Sequence, residues 1–174
     1  MLAKKLPAWR LVLCIILGVM IFANMALIFN FSSESREESA DRSHGLTETV
    51  VQIIVKDFEN LTPEEQDEKI QEFHVPIRKI AHFCGFGLLG LLTAALMVTL
   101  NRGKKWLWWA IPGAFCLLYA ISDEIHQIFT ERGPAVEDVV LDFCGSMAGI
   151  CVLHLVALLV AHLRAKRKAK RLCE

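Results

Sequence analysis

The stretch SDEIHQIFTERGPAVEDVVLD, residues 122–142, decides how this chain is read. It gathers Asp123, Glu124, His126, Gln127, Arg132, Asp138 and Asp142 between two runs of almost uncharged apolar sequence. Ionisable groups at such a junction find partners only if the flanking segments bring them together or hold them near water. The flanking segments therefore come first.

Upstream, WLWWAIPGAFCLLYAIS at 106–122 carries no charge, and downstream VVLDFCGSMAGICVLHLVALLVA at 139–161 is interrupted only by Asp142 and His154. Further out, residues 80–100 hold a single ionisable group, His82, and residues 11–31 hold none. A helix needs about 20 mostly apolar residues to cross a bilayer. The pattern predicts an all-α polytopic membrane protein with four transmembrane helices, over about 9–31, 77–100, 106–128 and 138–161. At 174 residues, 54% of them hydrophobic, the chain reads as one membrane domain over 1–174. Pro112 lies near the start of the third helix, where a missing N–H matters least. Lys4, Lys5 and Arg10 before the first run suit a signal peptide, but that run is too long for one, so a retained helix is expected. The six cysteines show no C-x-x-C, and five fall inside apolar helices, where they act as small hydrophobes rather than disulfide or zinc partners.

Basic residues in short flanks set orientation. Lys4, Lys5 and Arg10, then Arg102, Lys104 and Lys105, then six bases in LRAKRKAKR after the last helix, all fall on one side if the helices alternate. The opposite side carries residues 32–76, with twelve acids against four bases. Both termini are expected in the cytoplasm of a plasma-membrane protein, with 162–174 as a basic tail that anchors topology on anionic lipid. Nothing in that tail reads bases, so nucleic acid is not an expected partner.

With that orientation the opening stretch makes sense. Arg78, Lys79 and His82 sit at the outer end of the second helix, Asp123, Glu124, His126 and Gln127 in the last outer turns of the third, and Asp138 and Asp142 in the first turns of the fourth. Ionisable side chains in membrane segments usually face each other or a wet cavity. One polar pocket, open to the outside, is expected. Asp123 and Glu124 point about a hundred degrees apart on a helix, so one lines the pocket and the other meets the headgroups or a loop. Asp138, Asp142, Gly145 and Gly149 share a face of the fourth helix, and G-x-x-x-G there favours close packing inside the bundle. Arg132, in the turn TERGP, suits either a clamp on an anionic group or an ion pair with Asp138 or Asp142. His82 and His126 are general acid/base candidates, but no spacing matches a metal-ligand pattern, so no metal and no cofactor is expected. His154, in the inner half, reads as structural.

The outer segment 32–76 is expected to hold one or two amphipathic helices. LTETVVQIIVKDF at 46–58 has Leu46, Val50, Ile53, Ile54 and Phe58 at helical spacing, suited either to the bilayer surface or to a lid over the pocket. TPEEQDEKIQEF opens with Thr62 as N-cap, Pro63 at the first helical position and Glu65 three residues after the cap, and Pro76 is expected to end that piece.

From IFNFSSES, through RKIAHFCGFGLLG, to SDEIHQIFTERGPAVEDVVLDFCGSMAG, the order of motifs resembles the VanZ-like family of small bacterial membrane proteins, named for an accessory protein of teicoplanin resistance. Asp123, Glu124, Gln127, Arg132, Asp138 and Gly145 match its third- and fourth-helix pattern, and Lys79 and His82 its second-helix part; Asn or Asp stands at the Asp142 position. The resemblance implies a plasma-membrane protein linked to the cell envelope and to glycopeptide resistance, and it supplies no reaction. Three functions follow. The first is a pocket that binds a membrane lipid, a lipid-linked wall precursor or the lipoglycopeptide antibiotic through Lys79, Gln127, Arg132, Asp138 and Asp142. The second is a membrane-embedded hydrolase or transferase on such a lipid, with Glu124 or Asp123 as base and His82 as acid/base. The third, a small transporter, suits the sequence least, because the inner half offers only His154.

Overall fold

The computed structural model describes residues 6–33, 47–100, 104–128 and 135–173. Among them every regular element is helical: α1 (Ala8–Ser33), α2 (Pro63–Leu100), α3 (Leu107–Gln127), α4 (Val136–Cys173), a short 3-10 turn at Phe58–Asn60 and a helical segment over 47–54.

Three of these helices are long and apolar enough to cross a membrane: Ala8–Ser33, Pro63–Leu100 and Val136–Arg171. Such helices mark a membrane protein. The count differs from the four expected, and the difference lies in α3. Its 21 residues begin with two tryptophans, contain Pro112 and Gly113, and finish with Asp123, Glu124 and Gln127 in the last turns. The uninterrupted apolar run is correspondingly short.

Contacts fix the direction of each helix. Tyr119 Oη donates to the Met25 carbonyl at 2.7 Å and Ser32 Oγ to Asp123 Oδ2 at 2.6 Å, so α1 and α3 run parallel. Gly85 meets both Asn24 and Ile28, which sets α2 beside α1. The backbone of α4 at Gly145 lies against Phe83 and Gly87, and at Gly149 against Gly87 and Leu91, so α2 and α4 also run parallel. Trp109 stacks on His154 with centroids 4.2 Å apart, while Glu124 meets Ala135, so α3 and α4 are antiparallel. The result is an up-down-up-down bundle. Its core takes Leu17, Ile21 and Ile28 from α1, Phe86, Leu89 and Leu92 from α2, and Cys116 and Ala120 from α3.

The tightest seam is α2 against α4. A Cβ added at Gly90 would overlap the Ser146 carbonyl, one at Gly149 the Gly87 carbonyl, and one at Gly145 the Phe83 carbonyl. Lipid tails are as apolar as leucine, so helices in a membrane gain little from hydrophobicity alone, and close backbone approach supplies the packing energy instead. The G-x-x-x-G of α4 is therefore spent inside the bundle. The outward faces stay apolar, with Ile15, Val19 and Phe22 on α1 and Leu155, Leu158 and Leu159 on α4 all exposed.

Pro76 does not end a helix. α2 runs unbroken through it from Pro63 to Leu100, 38 residues or about 57 Å at the helical rise. A hydrocarbon core is about 30 Å thick, so one end of α2 projects well beyond it. Proline removes one hydrogen bond and crowds one carbonyl. Val75 and Pro76 are exposed, so that carbonyl has room to tilt away. The projecting half begins with the expected capping box: Thr62 N–H donates to Glu65 Oε2 at 2.8 Å, and Glu65 N–H to Thr62 Oγ1 at 3.4 Å. Residues 47–58 pack on this half through Val51, Phe58 and Ile70, a small core separate from that of the bundle. Ile53 and Ile54 point outward, while Thr47 and Val51 take the buried side. α4 likewise overshoots the bilayer, its basic stretch exposed through Arg171 and its helix continuing to Cys173.

Candidate functional site

The parallel and antiparallel directions bring four helix segments to one end of the bundle: the last turn of α1, residues 78–82 of α2, the last turns of α3 and the first turns of α4. Each delivers polar side chains there. Asp123 is 4% exposed and Asp142 3% exposed. Carboxylates so deeply buried require partners.

Asp123 finds them on α1 and on its own helix. Ser32 Oγ donates to Oδ2 at 2.6 Å, and Gln127 Nε2, one turn on, donates to the same oxygen at 3.1 Å. Asp142 faces α2, with Oδ2 3.7 Å from His82 Nδ1, an electrostatic contact longer than a hydrogen bond. The Oδ1 atoms of both aspartates are buried and have no hydrogen-bond partner among the described residues. One ligand-capable atom from each of His82, Asp123 and Asp142 lies within 4.8 Å of the others.

Nearer the solvent, Asp138 takes two cations from α2: Lys79 Nζ at 3.2 Å from Oδ1 and Arg78 Nη2 at 3.9 Å from Oδ2. Both bases remain partly exposed, the Lys79 side chain at 40% and Arg78 at 26%. Together Arg78, Lys79, His82, Gln127, Asp138, Leu141 and Asp142 line a recess of about 250 Å³, its open mouth included. Basic groups form its rim and carboxylates its floor. No residue of 47–58 lines it, and that segment packs on the projecting half of α2.

The VanZ/LLP1 family model matches residues 13–158, most of the chain and all four helices of the bundle. The chain belongs to the VanZ/LLP1 family. No curated protein and no solved structure gave a match. Membership, with the apolar helices, points to a VanZ-like membrane protein linked to glycopeptide resistance.

Of the residues singled out in this VanZ-like sequence, Lys79, His82, Asp123, Gln127, Asp138 and Asp142 come together. Glu124 stands apart. It is 8% exposed and turns toward the α3–α4 connection, where its Oε1 accepts the Ala135 N–H. Ala135 immediately precedes α4, so this carboxylate satisfies a backbone donor that the helix start leaves free and meets the positive end of its dipole. Asp123 and Glu124 thus divide as their angular separation requires, one to the cluster and one to the turn. Arg132 lies outside the described residues, as do Glu131 and Gly133. His126 does not reach the cluster: it stacks on Phe29 at 4.5 Å and pairs its Nε2 with Ser33 Oγ at 3.0 Å, pinning α3 to α1. His154 stacks on Trp109 at the far end of the bundle.

One participant escaped the reasoning from spacing. Ser32 is fully buried and holds Asp123, yet a serine at the end of an apolar run carries no signal until its partner is known. Arg78, placed by the sequence at this end but given no role, shares Asp138 with Lys79.

Proposed function

We propose that this VanZ-like protein crosses the membrane four times, α3 being the fourth span, with both termini cytoplasmic, and that its recess opens on the outer face to hold the anionic group of an envelope lipid or lipid-linked wall precursor. Glycopeptide resistance follows from that engagement. The alternating directions of the helices support the span count, since α3 runs back between the ends of α2 and α4. Trp9 and Trp106 flank the basic residues Arg10, Lys104 and Lys105 at a shared end, the arrangement of an interface belt on the positive side.

One observation carries the binding reading: Arg78 and Lys79 stand partly exposed at the mouth of a recess whose acids are buried below them. A phosphate entering there meets cations first. Asp138 holds both bases in place rather than removing them, since a single carboxylate shared by two cations leaves positive charge over.

A second reading, an enzyme on the same lipid, draws on His82 and Asp142. A histidine facing a buried carboxylate is the usual arrangement of an oriented general base. Glu124 and the Oδ2 of Asp123 are already engaged by Ala135, Ser32 and Gln127, so any base belongs to His82.

The chain reconstituted in nanodiscs with phosphate-bearing envelope lipids tests both. Native mass spectrometry is expected to retain a phospholipid on the wild type and to lose it in Lys79→Ala combined with Arg78→Ala. Equal retention by the double variant would defeat the binding reading. A new lipid species formed by the wild type but not by His82→Gln would favour the enzyme.

A further inference from the structure

His82, Asp123 and Asp142 come from three different helices, which is why no ligand spacing appears in the sequence. Each presents a ligand-capable atom within 4.8 Å of the other two, and His82 Nδ1 stands 3.7 Å from Asp142 Oδ2. Two ligands at about 2.0–2.2 Å from a tetrahedral ion stand about 3.3–3.6 Å apart, so the His82–Asp142 pair needs almost no movement and a separation at the 4.8 Å limit a contraction of about 1 Å.

We infer that these three residues bind a divalent transition cation of the zinc or manganese class on the floor of the recess. Two further observations point to a ligand. First, Asp123 and Asp142 are each more than nine-tenths buried, and each leaves its Oδ1 without a hydrogen-bond partner among the described residues. A buried oxygen with no donor is costly, and a cation among the three groups, held at Asp142 through either oxygen, would offset the charge of both carboxylates. Second, Asp123 is already oriented: Ser32 and Gln127 donate to Oδ2 and leave Oδ1 as the atom for a ligand. Hydrogen bonds of this kind, from groups that do not themselves touch the ion, hold a metal carboxylate in register.

Charge points the same way. Among the described residues of the site, Asp123, Asp138 and Asp142 outnumber Arg78 and Lys79, so an anion that passes the basic rim meets a negative floor. A divalent cation reverses that sign and gives a phosphate a second anchor beneath the rim. The mixed imidazole and carboxylate set suits zinc or manganese, whereas copper(I) prefers sulfur and magnesium keeps its waters. Three protein ligands leave a position open toward the recess.

The cation site shares the recess with the lipid reading but does not depend on it, since an ion can be measured with no lipid present. The full chain, purified in detergent and stripped by chelator, is titrated with cobalt(II) and with manganese(II). The expected result is one cation per chain, a cobalt visible spectrum of low coordination number, and nitrogen coupling to manganese from one imidazole. His82→Gln and Asp142→Asn are expected to abolish the coupling and weaken binding by more than tenfold, Ser32→Ala to weaken it by about tenfold, and Lys79→Gln to leave it intact. A monodisperse, helical wild type that takes up no stoichiometric cation would overturn the inference. So would His82→Gln and Asp142→Asn variants that keep the wild-type stoichiometry and cobalt spectrum.

Discussion

The two parallel helix pairs of this bundle are joined by opposite means. α2 and α4 touch backbone to backbone, with Gly87, Gly90, Gly145 and Gly149 leaving no room for a side chain. α1 and α3 are held by polar atoms: Tyr119 on the Met25 carbonyl, Ser32 on Asp123, and Ser33 on His126. A steric seam is rigid and intolerant, while a polar seam can lose one bond and keep its shape. The recess lies where the two meet. Asp142 and His82 hang from the rigid seam and Asp123 from the polar one, so the cluster inherits its position from both.

The contrast is broken most forcefully at Gly149. In Gly149→Val the new side chain would overlap the Gly87 carbonyl, and separating the helices should cost about 3 kcal/mol or more, enough to remove the monodisperse peak in detergent chromatography. Gly18→Ala is the control: a Cβ there meets nothing within 4 Å, and helix propensity predicts a gain of about 1 kcal/mol at most. A Gly149→Val variant that stays monodisperse with an unchanged melting temperature would show that the seam is looser than described.

On the polar seam the effects should be smaller. Ser32→Ala removes the shorter of the two bonds to the buried Asp123 carboxylate and should cost about 1.5–3 kcal/mol in thermal stability. Tyr119→Phe loses a neutral bond to the Met25 carbonyl and should cost about 1 kcal/mol. If Tyr119→Phe proves the more damaging of the two, the seam is organised around Tyr119 rather than Asp123. Smallest of all is Thr62→Ala, which opens the capping box on the projecting half of α2. It should speed amide exchange over residues 64–66 and leave the bundle and the recess unchanged.

Much of this arrangement was legible in the sequence, and the reasons it was not elsewhere are physical. Charge-free runs and the distribution of lysine and arginine marked the apolar helices, and helical spacing placed Asp138 and Asp142 on the face that carries Gly145 and Gly149. Alternation of direction then put Lys79, His82, Asp123 and Gln127 at the same end. Spacing along one helix says nothing about its neighbours, so Ser32 as the partner of Asp123 stayed invisible. So did the triad of His82, Asp123 and Asp142, which exists only across helices. Pro76 misled because an interior proline usually stops a helix, whereas here the exposed surface gives its crowded carbonyl space to tilt and the helix continues. α3 marks the boundary of composition as a guide: the residues that make it functional, Asp123, Glu124 and Gln127, are those that shorten its apolar run.

The central claim is a single polar recess, formed where all four helices converge, that opens to the outer face. In a chain freed of its native cysteines, Lys79→Cys and Lys104→Cys are exposed in intact cells to a membrane-impermeant thiol reagent. Residue 79 should label from outside and residue 104 only after lysis. Labelling of residue 104 but not residue 79 in intact cells would place the recess on the wrong side of the membrane and contradict the account.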